Sequence, residues 1–178
     1  MSRCLNWMAA AGMMAFGAQG ASWVVWPGQS VQTAVTTAAP GDNIILKEGI
    51  YTENVTLGKG LDIRGESGKR ASTILNGNFT IANATAPVYL AGFTIGSAGR
   101  SNVTVNACSD VRMDSMSFGD LSVSSSKYYV DWSSLSNAIF ASVSDWTAQR
   151  TTFSGNLTST DSPTKLIAST VYGSVTHS

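Results

Sequence analysis

From Asn54 onward, polar and apolar residues alternate in short bursts that return at regular intervals. "NVTL" starts at Asn54, "NFTI" at Asn78 and "NVTV" at Asn102, an interval of 24 residues. "DLSV" at Asp120, "AIFA" at Ala138, "NLTS" at Asn156 and "SVTH" at Ser174 then follow at intervals of 18. Alternate side chains of a strand share a face. The second and fourth letters therefore form one column: Val55/Leu57, Phe79/Ile81, Val103/Val105, Leu121/Val123, Ile139/Ala141, Leu157/Ser159 and Val175/His177. The column is apolar until its C-terminal end and is predicted to lie inside. The first and third letters, mostly Asn and Thr, are predicted to face water. A second column ends "LAGFTI" at Ile95, "MDSMSF" at Phe118, "WSSLSN" at Asn137, "AQRTTF" at Phe153 and "LIASTV" at Val171. Two strand columns per repeat, separated by turn residues, make each repeat one coil. A single coil cannot bury its inner face, whereas stacked coils can. The pattern predicts an all-β, single-stranded parallel β-helix, a solenoid.

The periodicity differs before the first repeat. Val31, Ala34, Val35 and Ala38 fall at helical spacing behind Ser30, a residue type suited to capping a helix start. "PGD" at Pro40 to Asp42 then breaks the helix and "NIIL" opens a strand. A short N-terminal helix here is predicted to cap the open end of the first coil, where strand edges would otherwise be unpaired.

The stretch "SVQTAV…APGDNIILKEGIYTENVTLGKGLDIRGES", from Ser30 to Ser67, resembles the opening of right-handed parallel β-helix proteins of the pectin lyase-like superfamily. "GIYTE" at Gly49 to Glu53 is similar to a G-x-Y-x-E segment near the start of pectinesterases. The resemblance is detailed to Gly77 and continues by rung pattern alone to Gly173. It implies a right-handed coil, export and a carbohydrate ligand. It does not carry catalysis over: the later Q-D-T, D-F-I-F-G and G-R-P-W motifs of pectinesterases, and the acidic calcium cluster of pectate lyases, have no counterpart. No catalytic residue is assigned.

Composition narrows the function classes. Eleven Lys and Arg balance eleven Asp and Glu, and charged residues make up 12% of the 178, about half the usual share. Nothing in that balance points to nucleic acid. Met1 to Gly20 reads as a signal peptide, with Arg3, an apolar stretch from Leu5 to Ala18, and small residues before Ala21. Residues 21–178 are then the β-helix domain, expected to be secreted (extracellular or periplasmic) and without a membrane span. Once Cys4 leaves with the leader, Cys108 is alone, and His177 is the single histidine. An internal disulfide, a His-based zinc site and a Ser–His–Asp triad are not expected. "SVTHS" opens a coil that the chain does not finish. This raises the expectations of a longer natural chain, a fragment of a larger β-helix or adhesin, or self-association through an uncapped coil.

Aligning the second columns on Leu90, Met113, Trp132, Ala148 and Leu166 as inward residues stacks Tyr89, Arg112, Asp131, Thr147 and Lys165 on one outward line, with Asp114 on the line beside it. With coils about 4.8 Å apart, Arg112, Asp114 and Asp131 are expected to cluster. Tyr89 would act as a stacking platform on a polysaccharide or cell-surface glycan, and for an acidic polysaccharide Arg112 and Lys165 are the cations placed to meet its carboxylates. A calcium ion is the one cofactor the carboxylates could take. The bland alternative is an exposed ion-pair ladder. The favoured reading is a secreted, non-catalytic β-helix that binds polysaccharide or an extracellular surface; the alternative is a lyase- or esterase-type enzyme using this face. Trp132 is predicted inward. Tyr128, Tyr129 and Trp146 are looser contact candidates, better read as packing. Five N-x-T sequons (Asn54, Asn78, Asn83, Asn102, Asn156) arise mostly from the strand phrase itself. The outward Thr column resembles that of ice-binding solenoids, but Ala138 and Phe140 are expected to interrupt it.

Overall fold

Each strand of this chain runs parallel to the strand one coil earlier. The computed structural model describes residues 20–96, 101–163 and 165–178, so the expected signal peptide falls outside them except for Gly20. The described residues form a parallel β-solenoid of about eight coils with three sheets along its length. The first sheet has eight strands: Ser22–Val25, Asn43–Leu46, Asp62–Gly65, Val88–Ala91, Val111–Asp114, Lys127–Asp131, Asp145–Gln149 and Leu166–Ile167. The second has seven: Val55–Leu57, Phe79–Ala82, Val103–Asn106, Leu121–Ser124, Ala138–Ala141, Leu157–Thr160 and Val175–His177. The third is two three-stranded pieces, joined by bridges from Thr94 to Ser117 and from Ser117 to Ser134.

Stacking puts like on like. The second sheet aligns Val55, Phe79, Val103, Leu121, Ala138 and Leu157 inward, all of them buried. The first sheet buries Ile44, Ile63, Leu90, Met113, Val130 and Ala148 in one row. The third buries Tyr51, Leu75, Ile95, Phe118, Leu135 and Phe153. Each large apolar side chain taken from water is worth about 1.5–3 kcal/mol, so the stack supplies what no single coil could. Trp146 lies in this interior, 1% exposed and stacked on Phe140 at 3.9 Å between ring centroids. Tyr128 is buried beside them.

Several predicted positions are corrected. Ala138 and Phe140, expected to interrupt the outward row, are buried. Ile139 instead faces outward, 52% exposed, with Ala141 on the same side, because Ala138 rather than Ile139 pairs with Leu121. That coil is 17 residues long and the next, from Ala138 to Leu157, is 19. A fixed interval of 18 slips the register by one there, and a one-residue slip exchanges the two faces of a strand. In the first sheet, Val130 takes the inward place assigned to Trp132, and Trp132 is 58% exposed. In the third sheet, Leu135 takes the place assigned to Asn137.

Two corners of the coil repeat a feature that hydropathy does not reveal. The residue after each strand of the second sheet from Asn83 on, namely Asn83, Ala107, Ser125, Ser142 and Asp161, has φ between 47° and 59°. The corner after the first sheet does the same at Gly92, Ser115, Trp132, Arg150 and Ala168. Left-handed backbone is disfavoured for residues with a Cβ. A small hydroxyl residue follows each of several such corners and pins it. Ser126, Ser133 and Ser162 each donate to the carbonyl two residues back, at 2.7–2.8 Å, and accept an N–H from the preceding coil, at 2.9–3.1 Å. All three are buried, so their hydroxyls settle polar groups that would otherwise be stranded.

The Asn of the repeated phrase has a comparable task. It is not simply turned to water. Asn54 accepts the N–H of Asn78 at 2.8 Å, Asn78 that of Asn102 at 3.0 Å, Asn137 that of Asn156 at 2.8 Å and Asn156 that of Ser174 at 2.9 Å. Asp120 stands in the same line and accepts from both the backbone and the side-chain amide of Asn137. This ladder satisfies a turn N–H in coil after coil.

The helix Val31–Thr37 forms as expected, with the Ser30 hydroxyl accepting the Thr33 N–H and Val31, Ala34 and Val35 buried. It packs against the strands Ser22–Val25, Asn43–Leu46 and Val55–Leu57 at the start of the solenoid. "GIYTE" builds this end. Gly49, at φ +147°, lies where a Cβ would sit 2.2 Å from the Pro27 ring, leaving room for glycine alone. The Tyr51 hydroxyl is 2.9 Å from the Val25 carbonyl and 2.7 Å from that of Lys47. Glu53 accepts from the Ser30 hydroxyl and from the N–H groups of Val31 and Gln32, at 2.8, 2.6 and 3.1 Å, so its carboxylate meets the free donors of the helix start.

Candidate functional site

The outward positions of the first sheet carry most of the charge. From Ser101 onward, the charged residues are Asp110, Arg112, Asp114, Asp120, Lys127, Asp131, Asp145, Arg150, Asp161 and Lys165. All except Asp120 and Asp161 lie on a first-sheet strand or directly next to one. Strand alternation sets two outward rows. One runs Asn43, Asp62, Tyr89, Arg112, Tyr129, Thr147; the other runs Arg64, Ala91, Asp114, Asp131, Gln149, Ile167.

These rows redistribute the expected cluster. Tyr89 and Arg112 are direct neighbours in one row, as expected. Asp131 belongs to the other row, beside Asp114 rather than Arg112. The two-residue shift that displaced Trp132 accounts for this. Arg112 does not meet Asp131; it pairs with Asp110, two residues back on its own strand, at 3.0 Å. Lys165 is exposed and lies three coils from Arg112, about 14 Å by strand spacing. It therefore takes no part in the cluster.

The structure instead assembles two joined groups. In the first, Tyr89 donates to Asp114 at 3.2 Å, while the Arg64 guanidinium sits 4.8 Å above the Tyr89 ring and pairs with Asp62 at 2.6 Å. Asp114 also accepts from the Ser115 hydroxyl at 2.9 Å. A groove of about 490 Å³ opens here, lined by Arg64, Glu66, Arg70, Tyr89, Asp114 and Ser115 among others. In the second group, Asp131, 8% exposed, receives both arms of Arg150, with Nε at 3.0 Å from Oδ1. It also accepts the Trp132 N–H at 2.8 Å, while the Tyr129 hydroxyl, 3.3 Å away, has its shorter bond to Gln149 at 2.7 Å. Arg150 stacks 4.7 Å from the Trp132 ring centroid, and Arg70 reaches the Trp132 carbonyl at 3.4 Å.

Electrostatics follow these contacts. Hydrogen bonds to Asp62, Asp110 and Asp131 push Arg64, Arg112 and Arg150 above the ordinary guanidinium value. Burial, reinforced by a neighbouring aspartate, raises the Tyr89 and Tyr129 phenols. Both stay neutral and able to donate at physiological pH. The chemistry available is hydrogen bonding in both directions beside aromatic surface. Among the described residues no group of three His, Cys, Asp or Glu gathers as metal ligands would. No helix among them is long and apolar enough to cross a membrane.

Sequence reasoning missed Arg64, Arg70, Tyr129's role and above all Arg150 with Trp132. "DWS" at Asp131 and "QRT" at Gln149 stand 18 residues apart, each an outward polar residue, a corner and a small hydroxyl. That spacing is the signal that places Trp132 and Arg150 on successive coils. No family model matches the chain, and no curated protein and no solved structure matches it.

Proposed function

We propose that this chain is an exported, non-catalytic right-handed β-helix of the pectin lyase-like kind that binds polysaccharide, or a surface bearing it, through the outward face of its first sheet. One observation carries the reading: neutral phenols and paired ionic groups are concentrated on one of three faces, beside an open groove; grooves of similar size on the other two faces lack that chemistry. The role of "GIYTE" supports the non-catalytic part. Tyr51 and Glu53 are committed to the backbone and to the helix start, so the segment most similar to an enzyme family holds the fold together.

Co-sedimentation of the secreted chain with insoluble cell-wall polysaccharides tests this. Tyr89→Ala combined with Arg112→Ala should weaken retention by about tenfold, the usual consequence of losing an aromatic anchor and its neighbour. Thr80→Ala combined with Thr104→Ala, on the second sheet, should leave retention unchanged. Equal loss from both pairs, or no retention of the parent chain by any polysaccharide, would overturn the proposal.

A further inference from the structure

We infer that the ligand of this face is an uncharged glycan, and that one of its sugar rings stacks on Trp132 at the corner where Arg150 is clamped by Asp131. The inference rests on the reading that the face binds glycans, and it specifies both the ligand class and the anchor.

Charge on this face is balanced locally. On the first-sheet strands and directly beside them, Asp42, Asp62, Glu66, Asp110, Asp114, Asp131 and Asp145 stand against Lys47, Arg64, Arg112, Lys127, Arg150 and Lys165, with Arg70 in the adjoining groove, seven of each sign. Five of those cations are already paired: Lys47 with Glu66 at 2.8 Å, Arg64 with Asp62 at 2.6 Å, Arg112 with Asp110 at 3.0 Å, Lys127 with Asp145 at 3.6 Å, and Arg150 with Asp131. An anionic sugar approaching Arg150 would meet the carboxylates of Asp131 and Asp114 along the same row, a like-charge contact that disfavours it. A hydroxyl-bearing neutral ring meets no such repulsion.

Trp132 itself points the same way. It is 58% exposed and holds the left-handed corner that recurs after each first-sheet strand from Gly92 to Ala168. The other coils fill that corner with Gly, Ser, Arg or Ala, so the corner itself is part of the fold and does not call for a ring. A bulky residue is a poor choice for that backbone, and an exposed tryptophan gains little from burial, which leaves its aromatic surface available to a ligand. The ring is nonetheless held in place. Arg150 lies over it, and both arms of Arg150 that face Asp131 are occupied.

Donors remain unoccupied at this corner. Asp131 accepts from Trp132 N, Arg150 Nε and Arg150 Nη2, which engages both of its oxygens. It is a positioning residue. Arg150 keeps N–H donors beyond the two it gives Asp131, and these donors border the ring. Ser115 lines the groove and occupies the corner one coil before Trp132, bonded through its N–H to the Asp131 carbonyl at 3.0 Å. Aromatic surface, fixed guanidinium donors and an adjoining groove with phenol and carboxylate acceptors together suit a sugar ring, with its apolar face and its rim of hydroxyls.

The test is calorimetric titration of the full exported chain with neutral hexasaccharides of glucose, mannose and galactose, and with hexagalacturonate. One neutral oligosaccharide should bind, with Kd changing less than about twofold between about 0.05 and 0.5 M salt, since neutral contacts are not screened. Trp132→Gly removes the ring while suiting the corner's backbone, so the variant should fold at least as stably and bind about tenfold or more weakly. Trp132→Phe should retain most affinity. Trp26→Ala should bind like the parent; Trp26 is equally exposed but lies at the first coil under Lys47. Preferential, salt-sensitive binding of hexagalacturonate, or neutral binding indifferent to Trp132→Gly, would overturn the inference and leave the glycan-binding reading standing. Binding of no saccharide would remove both.

Discussion

On the first sheet an outward side chain meets another side chain; on the second it meets a backbone. The two sheets belong to the same coils and share one parallel register, yet their outward chemistry is divided sharply. The second sheet presents Thr56, Thr80, Thr104, Ser122, Ile139, Thr158 and Thr176 in one row, edged by the Asn ladder. The ladder ties each coil to the next through main-chain N–H groups, so its bonds are part of how the stack holds together. On the first sheet, Asp62–Arg64 and Asp110–Arg112 are pairs within a strand. They join nothing across coils, and exposed pairs of this kind contribute about 0–1 kcal/mol. If the first face binds glycan as proposed, stability and recognition fall largely to different faces. Contacts such as Tyr89 with Asp114 and Lys127 with Asp145 do cross coils, but Asp131 is the exception in being buried, and it joins Arg150 on the following coil to Trp132 on its own.

The sheets should part most clearly in alkali. Burial holds the Tyr128 phenol, on the inner side of the first sheet, well above the usual tyrosine range. The second sheet's strands contain no tyrosine. A group with a raised folded pKa contributes stability that is complete below its unfolded pKa, about 10 for tyrosine, and that is lost as pH rises toward the folded value. Above about pH 10 the parent chain should lose about 1.4 kcal/mol per pH unit from this group alone. Urea unfolding between pH 8 and 11.5 measures it. Tyr128→Phe should flatten the curve at little cost near neutrality, since the hydroxyl gives only a 3.1 Å contact to Met113 sulfur, a weak acceptor. Parallel curves for parent and variant would show that the sheet opens before Tyr128 ionises.

The exception and the ladder can be compared directly. Asp131→Ala strands Arg150 and removes one of two acceptors of the Trp132 N–H, which also reaches the Gln149 carbonyl at 3.2 Å; Tyr129 keeps its 2.7 Å bond to Gln149. The loss for a buried pair is about 3–5 kcal/mol. Here the Arg150 side chain is 37% exposed and water replaces part of the interaction, so about 1–3 kcal/mol is expected. Asn137→Ala on the second sheet removes one acceptor and one donor at a half-buried turn, about 1 kcal/mol. Asp110→Ala should cost less than either. Chemical denaturation of the three variants gives the order, and an Asp110→Ala loss equal to that of Asp131→Ala would erase the distinction between pairs within and across coils.

Much of this architecture was legible in the sequence because stacking forces repetition. Val55, Phe79, Val103 and Leu121 share a row since each must close the same interior, and Ser30 with Val31, Ala34 and Val35 announces a helix by spacing alone. The candidate site was less legible for a geometric reason. Tyr89 and Arg112 come from coils where the first-sheet strands were aligned correctly, and they stand together. Asp131 and Trp132 lie in the short coil of 17 residues between Leu121 and Ala138, where the first-sheet alignment was off by two, although Ala148 and Phe153 beyond it were placed correctly. The Asn ladder and the hydroxyl corners were hidden for another reason: they are bonds from side chain to backbone between coils, and neither hydropathy nor charge marks them. Pairing of Arg150 with Asp131 needed that corner, and its one sequence signal, the 18-residue match of "DWS" with "QRT", was hidden by placing Trp132 inward.

The smallest effect bears on the one outward residue that departs from the second sheet's pattern. Ile139 stands in the Thr row between Ser122 and Thr158 and is 52% exposed. Its groove of about 410 Å³ also touches Asn102, Thr104, Asp120 and Asn156. Ile139→Thr keeps β-branching, and with it the stiffness that suits a strand. It removes apolar surface that is already half in water and adds a hydroxyl with solvent on one side, so stability should change by less than about 0.5 kcal/mol. If the second face serves only the stack, polysaccharide retention should be unchanged as well. A clear loss of retention with stability intact would move the binding surface onto the second sheet, since no other property of the coil responds to that substitution. A clear loss of stability would mean instead that Ile139 is covered in solution, and that this face also has a partner.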